Sequence, residues 1–219
     1  MLLAGCLAAP TSGRTGTPAT GLFAAPAAAA LPGPPAVPWG PGSITDGASI
    51  GALPRPWAEF CHRTGRRAAC GAPTTRVAMT PDRWAELEDL QRRVTNGVIQ
   101  RPDPVGVDDH WTLLNPGDAG DCEDIALTKR DALIDLGWPA GALRPAICYA
   151  RGQVVGGPEM HLVLSVDTDA GTYILGNLTD QVRSWRDSDC AVWVMREAGG
   201  TWRWIDGGVR VPLRPSLRR

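Results

Sequence analysis

The sequence changes character near residue 140, and this change most constrains the fold. Before it, apolar residues recur at helical spacing in two segments, one from Thr80-Pro81 to about Ile99 and one from Cys122 to about Gly137. After it come short runs rich in Val, Ile and Trp, separated by Gly or Asp: 144–150, 159–166, 171–175, 191–195 and 201–204. Helices followed by a meander of strands predict an α+β domain.

The chain is predicted to contain one folded domain with a tail at each end. Its first 54 residues are mainly Ala, Pro, Gly, Thr and Ser, a composition that buries too little apolar surface to offset the entropy of ordering. We therefore expect residues 1–54 to be a signal remnant and flexible tether, 55–210 to be the domain and 211–219 to be a basic tail. A length of 219 residues suits one such core.

The N-terminal residues suggest export. Leu3-Ala4-Gly5-Cys6 resembles a lipobox, which predicts a lipid anchor at Cys6. A signal sequence needs a basic region and roughly 7–15 apolar residues before such a site, so either the true start lies upstream or the match is chance. A second candidate is the Ala-rich stretch 21–31 behind Arg14. We expect a periplasmic or exported protein without a transmembrane helix, because no apolar run reaches roughly 18 residues.

The charge balance gives no support to a polyanionic partner. With 22 basic and 23 acidic side chains the formal net charge is -1, so nothing favours a nucleic acid or another polyanion. We expect a monomer that acts on a protein substrate.

Cys122 stands where a cysteine can act as a nucleophile. The turn-rich segment 115–120 delivers it to the first turn of a helix, whose free N–H groups lower the pKa of a thiol and stabilise an oxyanion. In the alternative interpretation Cys122 is a small buried residue, and Asp121, Glu123 and Asp124 only complement the helix dipole. Spacing alone leaves both interpretations open.

His161 lies in an apolar run, Met160 to Val166, that predicts a central strand. A histidine in such a run is usually a satisfied core residue. The order along the chain favours catalysis instead, because a cysteine at a helix start followed by a histidine on a strand builds papain-like and transglutaminase-like sites. His62 and His110 lack this context and are interpreted as surface residues.

Several motifs carry a family resemblance. The most specific is Gly120-Asp-Cys-Glu-Asp-Ile-Ala-Leu-Thr-Lys129, followed by Leu136-Gly137, His161-Leu-Val-Leu164 and Asn177-Leu178. Weaker matches lie upstream at Pro56-Trp57, Phe60-Cys61, Cys70, Thr80-Pro81, Trp84, Gly106, Asp109 and Trp111. Over about residues 56–195 the chain thus resembles the bacterial transglutaminase-like cysteine proteinase family, which includes the LapG-type periplasmic proteases.

The resemblance implies a papain/transglutaminase-like fold, with N-terminal helices packed on an antiparallel sheet, and a Cys-His-Asp triad. It makes Cys122 the nucleophile and His161 the general base. It also implies a calcium ion bound by Asp121 and Glu123. Carboxylate oxygens suit calcium chemically, although two acids at a helix start also complement the dipole.

The chain departs from the family at the third triad member. Family members usually carry Leu-Asp-Asn on the strand after the histidine, whereas this chain reads Leu175-Gly176-Asn177. The third member orients the imidazole, and its loss is severe in serine-type enzymes. We predict that Asn177 substitutes through a bulge or turn, because adjacent strand residues point to opposite faces. Asp180 is a second alternative.

The same hypothesis assigns the remaining cysteines. Cys61 and Cys70 flank a short basic loop and are expected to pair. Cys148 and Cys190 lie on predicted strands and either pair, if those strands are neighbours, or remain buried thiols. Cys122 is then left free.

The sequence thus predicts a thiol-dependent peptidase acting on an exported or cell-surface protein through an acyl-enzyme on Cys122. One alternative is a transamidase or amidase on peptide or cell-wall amides, since nothing specifies what attacks the acyl-enzyme. Another is a catalytically silent binding domain, because Gly176 stands where the triad needs an acid.

Overall fold

The helices lie in the first two thirds of the chain. The computed structural model describes residues 42–51, 53–103, 109–155 and 160–211. Its helices are α1 (Arg55–Arg63), α2 (Arg67–Cys70), α3 (Pro81–Gly97) and α4 (Cys122–Asp135), followed by a 3-10 turn at Ala140–Ala142. None of the described helices is long and apolar enough to cross a membrane.

The strands form one large sheet and one small ribbon. They are β1 (Asp46–Ser49), β2 (Ile99–Gln100), β3 (Ala119–Gly120), β4 (Leu143–Ala150), β5 (His161–Thr168), β6 (Gly171–Leu175), β7 (Arg183–Ser184), β8 (Cys190–Glu197) and β9 (Trp202–Ile205). Seven of them form an antiparallel sheet in the order β1-β9-β8-β4-β5-β6-β7, while β2 and β3 pair in parallel. The predicted α+β class is confirmed.

The strand order corrects the predicted meander. Strands β4 to β7 do follow one another, but β8 returns to pair with β4 instead of extending from β7. This return leaves β5, the strand that begins with His161, between β4 and β6. Pairing between strands so far apart in the chain depends on packing, which the local pattern does not encode.

The predicted domain start at residue 55 also needs correction. β1 lies within the segment expected to be a flexible tether, yet it pairs with β9 at the edge of the sheet. Ile44 just before it is buried, and Arg196 donates to its carbonyl oxygen. The sequence-based prediction missed this short strand because it considered the composition of the first 54 residues as a whole. Residues 1–41 lie outside the described residues, so the lipid anchor at Cys6 stays a prediction.

Helix α3 begins and packs as its sequence predicts. The Thr80 side chain accepts a hydrogen bond from the N–H of Arg83 (3.3 Å), and Pro81 occupies the first helical position. The predicted apolar stripe is buried: Trp84, Leu87, Leu90 and Val94. Helix α4 packs between α3 and strand β5, which places its first residue at the sheet.

The expected disulfide Cys61–Cys70 is present, and Cys148 and Cys190, for which the sequence left two alternatives, also form a disulfide. The second crosses from β4 to β8, because the return of β8 makes those two strands neighbours. The expectation that Cys122 is left free is wrong for this structure, in which Cys122 is disulfide-bonded. A nucleophilic role therefore concerns the reduced form of this residue.

Candidate active site

Cys122 is the first residue of α4, as predicted. The chain reaches it through a turn in which the Asp118 carboxylate accepts from the N–H of Asn115 (2.7 Å), and then through β3, which pairs with β2. Asp121 precedes the helix in an extended conformation. The thiol position therefore lies at the positive end of a 14-residue helix.

Two buried side chains of α4 bind the loop that leads to the cysteine. Asp124 accepts from the N–H of Thr112 (2.7 Å), and the Thr128 hydroxyl accepts from the N–H of Leu114 (2.9 Å). Burial raises the pKa of Asp124 to about 7, and the bond from Thr112 opposes this shift. The helix thus holds its own approach loop in place.

The sulfur of Cys122 faces strand β5. The backbone N–H of Leu162 donates to Sγ at 3.3 Å, and Oε2 of Glu123 lies 3.1 Å from the same atom. Leu162 directly follows His161, so the structure brings the two predicted catalytic residues to one place. A backbone donor on sulfur favours a thiolate over a neutral thiol.

His161 begins β5 and is almost fully buried. Burial, and then the positive charge of Lys129, lower the pKa of the imidazole to about 4. Within the described part of the chain, neither ring nitrogen has a hydrogen-bond partner, so the ring makes no hydrogen bond to Cys122. Catalytic hydrogen bonds are often long before substrate binds, and a neutral imidazole is the form that accepts a proton.

Position 176 faces the imidazole. A Cβ atom built on Gly176 would lie 3.9 Å from Nε2 of His161 and 3.4 Å from Cγ1 of Val163. This is where an orienting side chain would stand, and glycine supplies none. Asn177 points elsewhere: its side-chain amide donates to Oε1 of Gln100 (3.1 Å), and its backbone carbonyl accepts from Nε2 of Gln100 (2.9 Å).

The assignment of Asn177 as third triad member stays a prediction, and so does that of Asp180. Asp180 is exposed, whereas Asn177 is buried, and its Oδ1 atom has no hydrogen-bond partner in the described chain. His62 and His110 are exposed, as expected of surface residues.

Three buried polar residues that sequence reasoning missed surround the Gly176 carbonyl. Lys129 Nζ donates to it at 2.6 Å and to the Thr95 hydroxyl at 2.8 Å. Gln91 Nε2 donates to the same carbonyl at 2.8 Å and to the carbonyl of Thr179 at 2.7 Å. A signal existed in the helical spacing: Gln91 and Thr95 interrupt the apolar stripe of α3, and Lys129 stands two turns after Cys122.

Buried acids surround the start of α4. The pKa of Asp121 is raised to about 6, mainly by burial and also by the nearby charges of Asp103 and Asp109, against a hydrogen bond with Glu123. Burial, and then the charges of Asp121 and Asp109, raise the pKa of Glu123 well above its usual value. The N–H of Asp103 donates to Asp121 Oδ2 at 3.4 Å. Desolvated carboxylates that repel one another are stabilised by a bound cation.

The donor chemistry of these acids fits calcium, which takes carboxylate and carbonyl oxygens. In the described ranges, however, no group of three or more His, Cys, Asp or Glu side chains is arranged to hold a metal ion. The assignment of Asp121 and Glu123 as calcium ligands therefore stays a prediction.

A cysteine at a helix start, placed against a histidine-bearing strand of an antiparallel sheet, defines the papain/transglutaminase-like class of proteins. The match to a family model then narrows the class. Residues 48–208 match the bacterial transglutaminase-like cysteine proteinase family, and the chain belongs to this family of cysteine peptidases. The matched range begins within β1, in agreement with the corrected domain start.

Among solved structures, the chain is similar to LapG from Legionella pneumophila. The calcium-bound form is 23% identical, with 64% of this chain and 77% of that chain covered and a TM-score of 0.46. A second LapG structure covers 57% and 69% at 23% identity and a TM-score of 0.44, and an EGTA-treated form covers 56% and 66% with the same identity and TM-score. No curated protein sequence matches the chain.

Proposed function

We propose that the reduced chain is a thiol-dependent peptidase that cleaves a protein through an acyl-enzyme on Cys122. One observation carries the proposal: the sulfur of Cys122, at the start of α4, accepts a hydrogen bond from the residue that follows His161. In this mechanism the His161 imidazole takes the proton of the thiol. The sulfur then attacks the scissile carbonyl, and the imidazolium returns the proton to the leaving amine.

The surroundings of the sulfur support this chemistry. The first N–H groups of an α-helix have no partner within the helix, so those at the start of α4 can donate to an oxyanion formed beside Cys122. The low pKa of His161 keeps its ring neutral at physiological pH, as a base requires. The substrate that we propose is an exported or cell-surface protein, located in the periplasm or beyond. The disulfides Cys61–Cys70 and Cys148–Cys190 are typical of such an oxidising location.

We also propose that calcium binds at Asp121 and Glu123. Both carboxyl groups are buried beside the nucleophile, and the charge of Asp121 raises the pKa of Glu123. A bound calcium ion would supply positive charge there and hold the start of α4 in one arrangement.

A second candidate function is a catalytically silent binding domain. It is favoured by Gly176, which places no side chain on the imidazole, and by the two ring nitrogens of His161 that have no partner in the described residues. In that case Cys122 would react like an ordinary thiol after reduction.

The rate of alkylation of Cys122 by iodoacetamide separates the two candidates. The reduced protein and its His161→Ala variant are compared between pH 5 and 9, and peptide mapping by mass spectrometry isolates the label on Cys122. We expect the unmodified protein to react at pH 7 about tenfold faster than His161→Ala, because the imidazole accepts the thiol proton. Equal rates for the two proteins at every pH would contradict the hydrolase assignment and support the binding-domain alternative.

A further inference from the structure

A buried lysine beside the imidazole takes no part in the mechanism above. Lys129 is fully buried in α4, and no described carboxylate forms a salt bridge with it. Burial lowers the pKa of its amine well below the usual value. Lysines are rarely buried without an acid because the desolvation of the ammonium group is costly. The hydrogen bonds of Lys129 therefore need an explanation.

Those bonds converge on one carbonyl. The carbonyl oxygen of Gly176 accepts hydrogen bonds from Lys129 of α4 (2.6 Å) and from Gln91 of α3 (2.8 Å). Two helices therefore bind the same peptide group. Lys129 is also tied to α3 by its bond to Thr95 (2.8 Å), and Gln91 holds the carbonyl of Thr179 three residues further on. Segment 176–179 is thereby held against both helices.

Gly176, whose carbonyl accepts these hydrogen bonds, is also the residue that faces His161. The carbonyl side of Gly176 is held by Lys129 and Gln91, while its α-carbon side faces Nε2 of His161, 3.9 Å from where a Cβ would stand. Because position 176 carries no side chain, a shift of its backbone changes the space beside the imidazole. Lys129 and Cys122 also belong to one helix, so the hydrogen bond from Lys129 fixes Gly176, beside the imidazole, relative to the helix that carries the sulfur.

We propose that Lys129, together with Gln91, is a positioning residue for His161, acting through the carbonyl of Gly176. This inference rests on the proposed function, since it concerns how the base of that reaction is held. An acidic third triad member orients the imidazole through its side chain. Lys129 and Gln91 instead orient it by holding the backbone of Gly176 in place.

The test compares variants by the acceleration that His161 gives to Cys122. Alkylation by iodoacetamide is measured at pH 8, and each rate is divided by that of the same variant carrying His161→Ala. We expect Lys129→Met to reduce this ratio about tenfold, because misplacement of a catalytic group by about 1 Å costs one to two orders of magnitude. Gln91→Met should act in the same direction. The double variant should lose less than the product of the two effects, since both act through one carbonyl.

Arg130→Met is the matched control. Arg130 is the next residue of α4, is equally buried, and also donates to two carbonyl oxygens, those of Leu143 (2.9 Å) and Ala69 (2.7 Å). Its loss should lower the melting temperature as much as Lys129→Met does and leave the ratio within about twofold of the unmodified chain.

A second readout follows the ring itself. Since the charge of Lys129 lowers the pKa of His161, Lys129→Met should move the titration of the His161 ring, followed by NMR, to higher pH, whereas Arg130→Met should not. A ratio near one in the unmodified chain would overturn both the proposed function and this inference. A large ratio that Lys129→Met and Gln91→Met leave unchanged, or that Arg130→Met lowers equally, would overturn this inference alone.

Discussion

At the scale of single residues, position 176 lies beside the imidazole of His161. Gly176 does not have a positive φ, so its backbone accepts a side chain without strain. The contacts that a Cβ would make, 3.4 Å to Val163 and 3.9 Å to His161, are ordinary van der Waals distances. A Cβ atom is therefore accommodated at this position, and side chains of different chemistry can be compared there.

Gly176→Asp is expected to increase the reactivity of Cys122. A carboxylate beside Nε2 would orient the ring and favour the imidazolium, so the pKa of His161 should rise from about 4. We expect at least about a tenfold gain in the rate of Cys122 alkylation at pH 7. The control is Gly176→Ala, which fills the same space without a charge. If the two variants react equally fast, the carboxylate contributes nothing and position 176 is not a triad position.

At the scale of elements, the N-terminal strand is joined to the sheet by buried charges. Asp46 of β1 accepts from Arg144 of β4 (2.7 Å) and from Arg196 of β8 (2.6 Å). Both guanidinium groups also bind Asp167 of β5 at 3.0 Å. Burial raises the pKa of the Asp167 carboxyl, but ion pairing with Arg196 outweighs this effect and the pKa is lowered. Two cations and two anions thus balance inside the fold, and β1 supplies one of the anions.

Asp46→Asn should destabilise the whole domain. The substitution keeps the shape of the side chain but leaves two buried guanidinium groups with one carboxylate, a change that costs about 3 kcal/mol. Guanidinium denaturation would measure the loss, and hydrogen exchange should show faster opening of β1. Glu59→Gln is the comparison, because it breaks the exposed pair with Arg55 and should cost less than about 1 kcal/mol. Equal losses in the two variants would mean that the buried network does not hold β1.

At the scale of the whole molecule, stability should depend on pH through the acids near α4. The pKa values of Asp121 and Asp124 are raised to about 6 and about 7, and that of Glu123 is raised well above its usual value. Between the unfolded and folded pKa values the folded state binds more protons, so Asp121 and Asp124 lose their contribution as pH rises through about 6 and about 7, and Glu123 loses its contribution above its usual pKa. His161 opposes this trend, because its contribution is complete above about 6.5 and is lost as pH falls through about 4.

We therefore expect the melting temperature without calcium to fall by several degrees between pH 5.5 and 7.5, because the losses at Asp121 and Asp124 in this range exceed the gain at His161. Calcium should raise it more at pH 7.5 than at pH 5.5, since the ion competes with protons for the same oxygens. Scanning calorimetry with calcium or a chelator measures both effects. Asp121→Asn with Glu123→Gln should flatten the pH slope and abolish the calcium effect, whereas Asp135→Asn, an exposed acid at the end of α4, should do neither. A calcium effect that survives the double variant would place the ion elsewhere.

The sequence by itself determined the features that short segments encode. The Thr80 cap and Pro81 began α3, the glycine-rich turn before Cys122 began α4, and β-branched runs marked the long strands, because capping, turn conformation and alternation act within a few residues. The chain order of cysteine and histidine was also enough to predict the two residues that the fold brings together.

Tertiary structure alone decided the rest. The hydrogen bonds of Lys129 and Gln91 to Gly176 join residues 47 and 85 positions apart, and the contact of Asp46 with Arg196 spans 150. The return of β8 to β4, the recruitment of β1 and the facing of position 176 toward His161 likewise depend on how elements pack. Such contacts form only once side chains distant in sequence share a buried space, and no local propensity encodes which partner each buried polar group finds there.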